Sequence, residues 1–332
     1  TDGGGSTDGT EIGQDSENKV EEVLIVLAEE DIKDGKKVQK FITSTKVTST
    51  ELVKVGTEDV YKTSSQFKKS AMLSYYNQLA QEGKLKDGVN PEVNVFVFCN
   101  PTAELLTFIN SVEPKSTEWT EKTGKYIEKS GDNVIWSAGK FLMSNVCIAT
   151  RQLPKTASDW NNYSTENTPF DLSGMNAAGR ENQVDNYTGK GNVKVERTCA
   201  RFDFRDGSLD GTEKDADKTK FNGVGNCTYN VVMDGNSDEV NKPCLVQIKL
   251  GKMALVNMSR EYFYLKRVSN DGLPAAELNG SLCSAETPTN YVVGPNANVF
   301  VNKVDKDGYG FGETGERFSF KQYFNYPLFN ED

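Results

Sequence analysis

VNVFVFC, residues 93–99, is an almost unbroken run of β-branched and aromatic residues, interrupted only by Asn94. Such a run predicts a buried strand. Upstream, VEEVLIVLA (residues 20–28) is a second strongly apolar β-type run, followed by a polar turn at Asp34-Gly35 and a weaker Thr/Val-rich strand over residues 38–47. Ser64-Ser65 then reads as the N-cap of a helix running to about Gln81 and ending at Gly83. Phe67, Ala71, Tyr75 and Leu79 recur every four residues, an apolar stripe suited to packing on a sheet.

Downstream, Pro101 stands near the first turn of a short helix, TAELLTFINSV, where its fixed φ is tolerated. FLMSNVCIA (residues 141–149) predicts a further strand, and residues 151–190 form a long polar surface excursion. NVKVERTCARFDF (residues 192–204) alternates in two halves whose apolar phase switches between them. A β-bulge near residues 197–199 would produce that switch, because one extra residue flips the facing.

The polar gap over residues 206–220 is the best domain boundary. Beyond it come strand-like runs at 227–233, 244–250, 253–258, 262–268, 291–301 and 318–323. Short strands punctuated by turn signals predict a β-sandwich. The expected fold class is therefore mainly β, with a few short helices in the first half. The expected parts are a flexible tract over residues 1–18, a β-sandwich domain over 19–207, and a second over 208–332.

The 332 residues suit two domains at about 150 residues each. A formal net charge of −10 argues against nucleic acid and against a polybasic membrane contact. The chain contains no histidine, which removes the commonest general base and metal ligand and the Ser-His and Cys-His pairs. We therefore expect no enzyme, no cofactor and no metal. The six cysteines, Cys99, Cys147, Cys199, Cys227, Cys244 and Cys283, include no CxxC pair, which disfavours a zinc or thioredoxin-type site. Buried thiols and widely spaced disulfides both fit them.

Three motifs have bland readings. Residues 310–315 (GFGETG) match GxGxxG but precede a strand-like run, not a helix, and read as a loop. Asp206 to Asp217 loosely imitates a calcium loop, but with Ser208 at the third ligand position and no flanking helices it reads as a solvated linker. The acidic loop of Asp305, Asp307 and Glu313 is read the same way. Trp160 and Tyr163 are surface aromatics of a kind that can stack on a sugar.

NVKVERTCARFDF resembles a strand of the fimbrillin-like fimbrial subunits of the Bacteroides–Porphyromonas group. Three other segments resemble that family in the same order: KVEEVLIVL (residues 19–27), VNVFVFCNPTAELL (residues 93–106) and FLMSN (residues 141–145). The likeness covers roughly residues 19 to 270 and is strongest to shaft subunits of minor fimbriae. It implies two tandem transthyretin-like β-sandwiches and export as a lipoprotein precursor to the outer membrane. It also implies proteolytic release of an N-terminal strand, with the tract at Thr1 as the new terminus. The vacated groove would then accept a strand from the next subunit.

The expected partners are other copies of the chain and other fimbrial subunits, with host proteins or glycans as adhesion targets. The expected location is the cell surface. Val20, Val23, Ile25 and Leu27 are the groove candidates, since the first strand would border the opening. The family continues with further strands after residues 291–330, including the exchanged one, so this chain is expected to present the acceptor side. The alternative is a tip or accessory adhesin of the same fold, binding a host ligand or glycan.

Overall fold

The computed structural model describes residues 15–56, 60–125, 141–163, 170, 172, 192–198, 223–225, 227–233, 244–251, 261–269, 281–284, 287 and 291–295. The chain divides into two compact units. One is made of Thr1–Thr198 and Ser259–Arg317, the other of Cys199–Met258 and Phe318–Asp332. The expected boundary at 206–220, the far side of the expected bulge, and the 253–258 and 318–323 runs lie outside the described residues, as do the three loop motifs.

Described residues of the first unit are mainly antiparallel β-strand. A short helix α1 (Asp15–Asn18) precedes β1 (Glu22–Lys33), which returns as β2 (Lys36–Thr48). Asp34 and Gly35 between them have φ of 53° and 75°. Two consecutive left-handed residues make the tight turn that matches strand twist, and glycine adopts that conformation without strain. β3 (Leu52–Lys54) and β4 (Tyr61–Thr63) form a small hairpin of their own. Helix α2 (Lys69–Gln81), strand β5 (Glu92–Cys99) and helix α3 (Ala103–Asn110) follow, then β6 (Thr123–Lys125), β7 (Met143–Asn145), β8 (Ala149–Gln152) and β9 (Val195–Arg197).

The principal sheet runs β2-β1-β5-β7-β9, with β8 also paired to β5. Every pairing in it is antiparallel. β1 lies between β2 and β5 and alternates between two buried layers. Leu24, Val26 and Ala28 join Phe96 and Phe98 in a core closed by Leu105 and Ile109 of α3 and by Trp119. Leu27 joins Val93 and Val95 in the opposite core, against Met72, Tyr75, Tyr76 and Leu79 of α2. Burial on both faces is why these strands read as nearly continuous apolar runs. Between Leu27 and Ala28 the register with β2 shifts, so Ile42 is the extra residue of a β-bulge. The shift lets Phe41 face the Trp119 layer while Ile42 faces α2.

Three sequence expectations change, one of them the single strand expected over 262–268, which is two strands, Glu261–Phe263 and Arg267–Ser269, in different sheets. Helix α2 begins at Lys69, not at Ser64-Ser65, and its N-cap Lys68 makes no side-chain capping bond. The residues before it stay extended, with the Gln66 carbonyl accepting from Thr45 Oγ1 at 2.9 Å. Its end is as expected, with Gly83 at φ 65°. The single strand expected over 141–149 is instead two strands, β7 and β8, placed successively along the same edge of β5.

The rest of the described chain forms small antiparallel sheets. In the first unit, β13 (Glu261–Phe263) pairs with β6, and β14 (Arg267–Ser269) lies between β15 (Ser281–Leu282) and β16 (Tyr291–Val292). In the second unit, β10 (Gly223–Gly225), β11 (Thr228–Met233) and β12 (Cys244–Lys249) make one three-stranded sheet.

Candidate assembly site

The groove candidates sit at the start of β1. Val23 is 6% exposed and packs with Val47, Cys99 and Met143, with Val20 and Ile25 at the margin of that cluster. Leu27 is fully buried against α2. Val23, Ile25 and Leu27 share one face of the strand, as the period of two requires.

Both edges of β1 are occupied over this stretch. Val23 to Ala28 pair with Cys99 to Asn94 of β5 on one side, and the same residues pair with β2 on the other. The candidates therefore line buried layers, and a further strand has no place beside them on β1. The sheet ends at β9 on one side and, on the β1 side, at β2. Among the described residues, backbone bonds to that edge from other segments occur at Phe41, which bonds Ser116 and Lys115. The hairpin end of β1 and β2 carries cross-strand pairs, Glu30 with Lys37 and Asp31 with Lys40. Charges there discourage unwanted strand addition.

Two asparagines, Asn100 and Asn145, which in the sequence stand only as members of the segments 93–106 and 141–145, hold the ends of this sheet together. Asn100 follows β5 with φ 52°, a conformation asparagine tolerates better than most residues. Its backbone N–H donates to Glu22 O at 2.7 Å, while its Oδ1 accepts from Glu21 N at 2.8 Å. Its Nδ2 donates to Lys19 O and to Phe141 O, each at 2.9 Å. One side chain thus ties the segment leading into β1 to the segment leading into β7. Nearby, Arg197 of β9 reaches Glu17 and Asn18 at 3.5 and 3.4 Å.

Asn145 fills the gap between β7 and β8 along β5. Its Oδ1 accepts from Val97 N at 2.6 Å, and its Nδ2 donates to Val95 O at 2.9 Å and to Cys147 O at 3.2 Å. The side chain supplies the ladder bonds that the chain cannot make while it turns. Further along, Asn94 Nδ2 donates to Gln39 Oε1 at 2.8 Å and Thr150 Oγ1 donates to Asn94 Oδ1 at 2.7 Å, so the polar interruption of the 93–99 run is paired.

On the α2 side, Glu29 is 6% exposed and meets Lys84 at 2.5 Å, with Gln78 Nε2 at 3.4 Å. The hydrogen bonds to Glu29 and Glu82 raise the Lys84 ammonium above its ordinary value. A depression of about 50 Å³ beside this group is lined by Lys40, Ser74, Tyr75, Gln78 and Lys115, among others, with room for a few waters. Trp160, Tyr163 and Phe170 contact one another edge-on or tilted at centroid distances of 5.0–6.5 Å, and Trp160 also packs on the α2 core. All three rings are half-buried.

Cys99, Cys147 and Cys283 are buried thiols, and Cys227 is a half-buried one. Burial pushes the Cys99 thiol up to about 12. Among the described residues no cluster of three or more acidic or cysteine side chains is placed to hold a metal ion. Among them, too, no helix is long and apolar enough to cross a membrane. No protein-family model, curated protein or solved structure matches the chain.

Proposed function

We propose that the chain is a structural subunit of a cell-surface fimbria that polymerises by proteolysis-triggered donor-strand exchange with copies of itself and other fimbrial subunits. One observation carries this. The four segments that resemble fimbrial subunits lie far apart in sequence, yet β1, β5, β7 and β9, which they contain, are consecutive neighbours in one sheet. A set of short likenesses scattered by chance has no reason to converge on adjacent strands.

On this proposal the chain is built from two transthyretin-like β-sandwiches, reaches the outer membrane as a lipoprotein precursor, and supports adhesion. A strand added to an open edge gains main-chain hydrogen bonds, while pockets for alternate side chains select its sequence. We assign the acceptor edge to the outer side of β2. Val23, Ile25 and Leu27 then belong to the core one strand behind that edge. Electron microscopy of surface appendages from cells with and without the gene tests the assignment. Loss of filaments is expected, and unchanged filaments would sink it.

A further inference from the structure

Cys147 and Cys283 are 136 positions apart (283 − 147) in sequence, but each is 2% exposed and together with Val268 they form a separate buried cluster. The backbone beside them is fixed. Ile148 N–H donates to Cys283 O at 2.7 Å, Cys283 N–H donates to Lys266 O at 3.1 Å, and the Cys147 carbonyl accepts from Asn145. Ile148, next to Cys147 in the chain, is thus bonded directly to Cys283, and the two cysteines meet in one buried cluster, the proximity that a disulfide requires. Cys283 Sγ has only a long contact to the Thr287 carbonyl, at 3.8 Å. A thiol is a weak donor, so little is lost when its proton leaves.

We propose that Cys147 and Cys283 form a structural disulfide, a covalent staple between the β7–β8 turn and the strand group β14–β16. This goes beyond the fimbrial assignment. The oxidant is a low-molecular-weight disulfide or a disulfide-bearing oxidoreductase. One cysteine thiolate attacks a donor sulfur, forming a mixed disulfide and releasing one donor thiol. The second cysteine thiolate then displaces the other donor thiol, so two electrons and two protons pass from the cysteine pair to the donor. Because both sulfurs are buried, the exchange happens during folding or local opening.

The purified full chain, unfolded and refolded in a glutathione redox buffer, tests this without reference to where a cell places the protein. Trypsin under non-reducing conditions should release residues 141–151 joined to residues 268–303, two hydrogens lighter than the separate peptides. Reductant should abolish the joined species and lower the thermal midpoint by about 10 °C, the scale for a staple closing a long loop in a unit of this size. The Cys147→Ser variant should lack the joined peptide, whatever its stability. Recovery of both cysteines as free thiols after oxidative refolding would overturn the proposal. So would their attachment to Cys99, Cys199, Cys227 or Cys244 instead of each other. Filaments lost on gene deletion together with free thiols would refute the staple while leaving the fimbrial assignment intact.

Discussion

Replacing Asn145 with Ala removes a side chain that is 3% exposed and makes three hydrogen bonds to backbone atoms. Val97 N–H and Val95 C=O, both on β5, lose their partners inside the sheet. A buried polar group left unpaired costs about 1–3 kcal/mol, so the variant should lose about 3 kcal/mol. All three tryptophans, Trp119, Trp136 and Trp160, belong to the first unit, so their fluorescence follows that unit through urea unfolding. With a denaturant slope near 3 kcal/mol per molar, the midpoint should fall by about 1 M.

Asn145→Asp sharpens the experiment, because a carboxylate still accepts from Val97 but cannot donate to Val95 and Cys147. Facing those carbonyls, the acid is pushed above its ordinary value near 3.9. The sign follows from linkage. Below about pH 3 both folded and unfolded states are protonated and the Asp variant approaches the parent, since the O–H can donate. As pH rises, the unfolded state ionises first, and the gap from the parent widens until the folded acid ionises too. An Ala midpoint within about 0.2 M of the parent, or a parent–Asp gap indifferent to pH, would refute the assignment of Asn145 as a ladder substitute.

Asn100→Ala and Asn100→Gly both free the Lys19–Glu22 segment, and tryptic cleavage after Lys19 should rise about tenfold in each, because proteolysis follows the open population. The Ala variant should be the less stable of the two by about 1–2 kcal/mol, since only glycine accepts the left-handed backbone without cost; equal stabilities contradict this. For Glu29 and Lys84, Lys84→Met alone should destabilise at pH 7 by stranding a buried carboxylate, and adding Glu29→Gln should recover part of the loss. The coupling is set at about 1 kcal/mol because the lysine is partly solvated. The raised lysine value means the pair's contribution is complete at neutral pH and is lost only as pH climbs beyond the ordinary 10.5. A double-mutant cycle by urea unfolding at pH 7 and pH 11 measures both.

The strands β1 and β5 were legible because apolar burial on both faces leaves long, nearly continuous apolar runs, and β2 was legible more faintly, from its β-branched Thr, Val and Ile residues. The β1–β2 turn was legible from Asp34-Gly35 for the same local reason that it forms. The split of 141–149 was not, because it depends on a single asparagine pairing with a strand distant in sequence. Asn145 and Asn94 both interrupt apolar runs, and a polar amide in such a place signals a buried network, without naming its partners. Asn100 carried a clearer sign, an Asn-Pro pair directly after a strand, where left-handed backbone is common. The late start of α2 also escaped, since Ser64-Ser65 has capping chemistry but a tertiary bond to Gln66 holds the backbone extended. Of the groove candidates, Val23, Ile25 and Leu27 share one face of the first strand while Val20 precedes it; the occupied edges on either side could only be seen in three dimensions.

The placement of β1 between two antiparallel neighbours also governs how the protein responds to force. A pull along the axis of β1 loads the six pairs with β5 and the flanking pairs with β2 together in shear, not one at a time. Ahead of them stands the Asn100 clamp, a small set of bonds that can break and re-form while the ladders stay closed. Under such a pull the clamp is the soft first stage and the paired ladders the stiff second one.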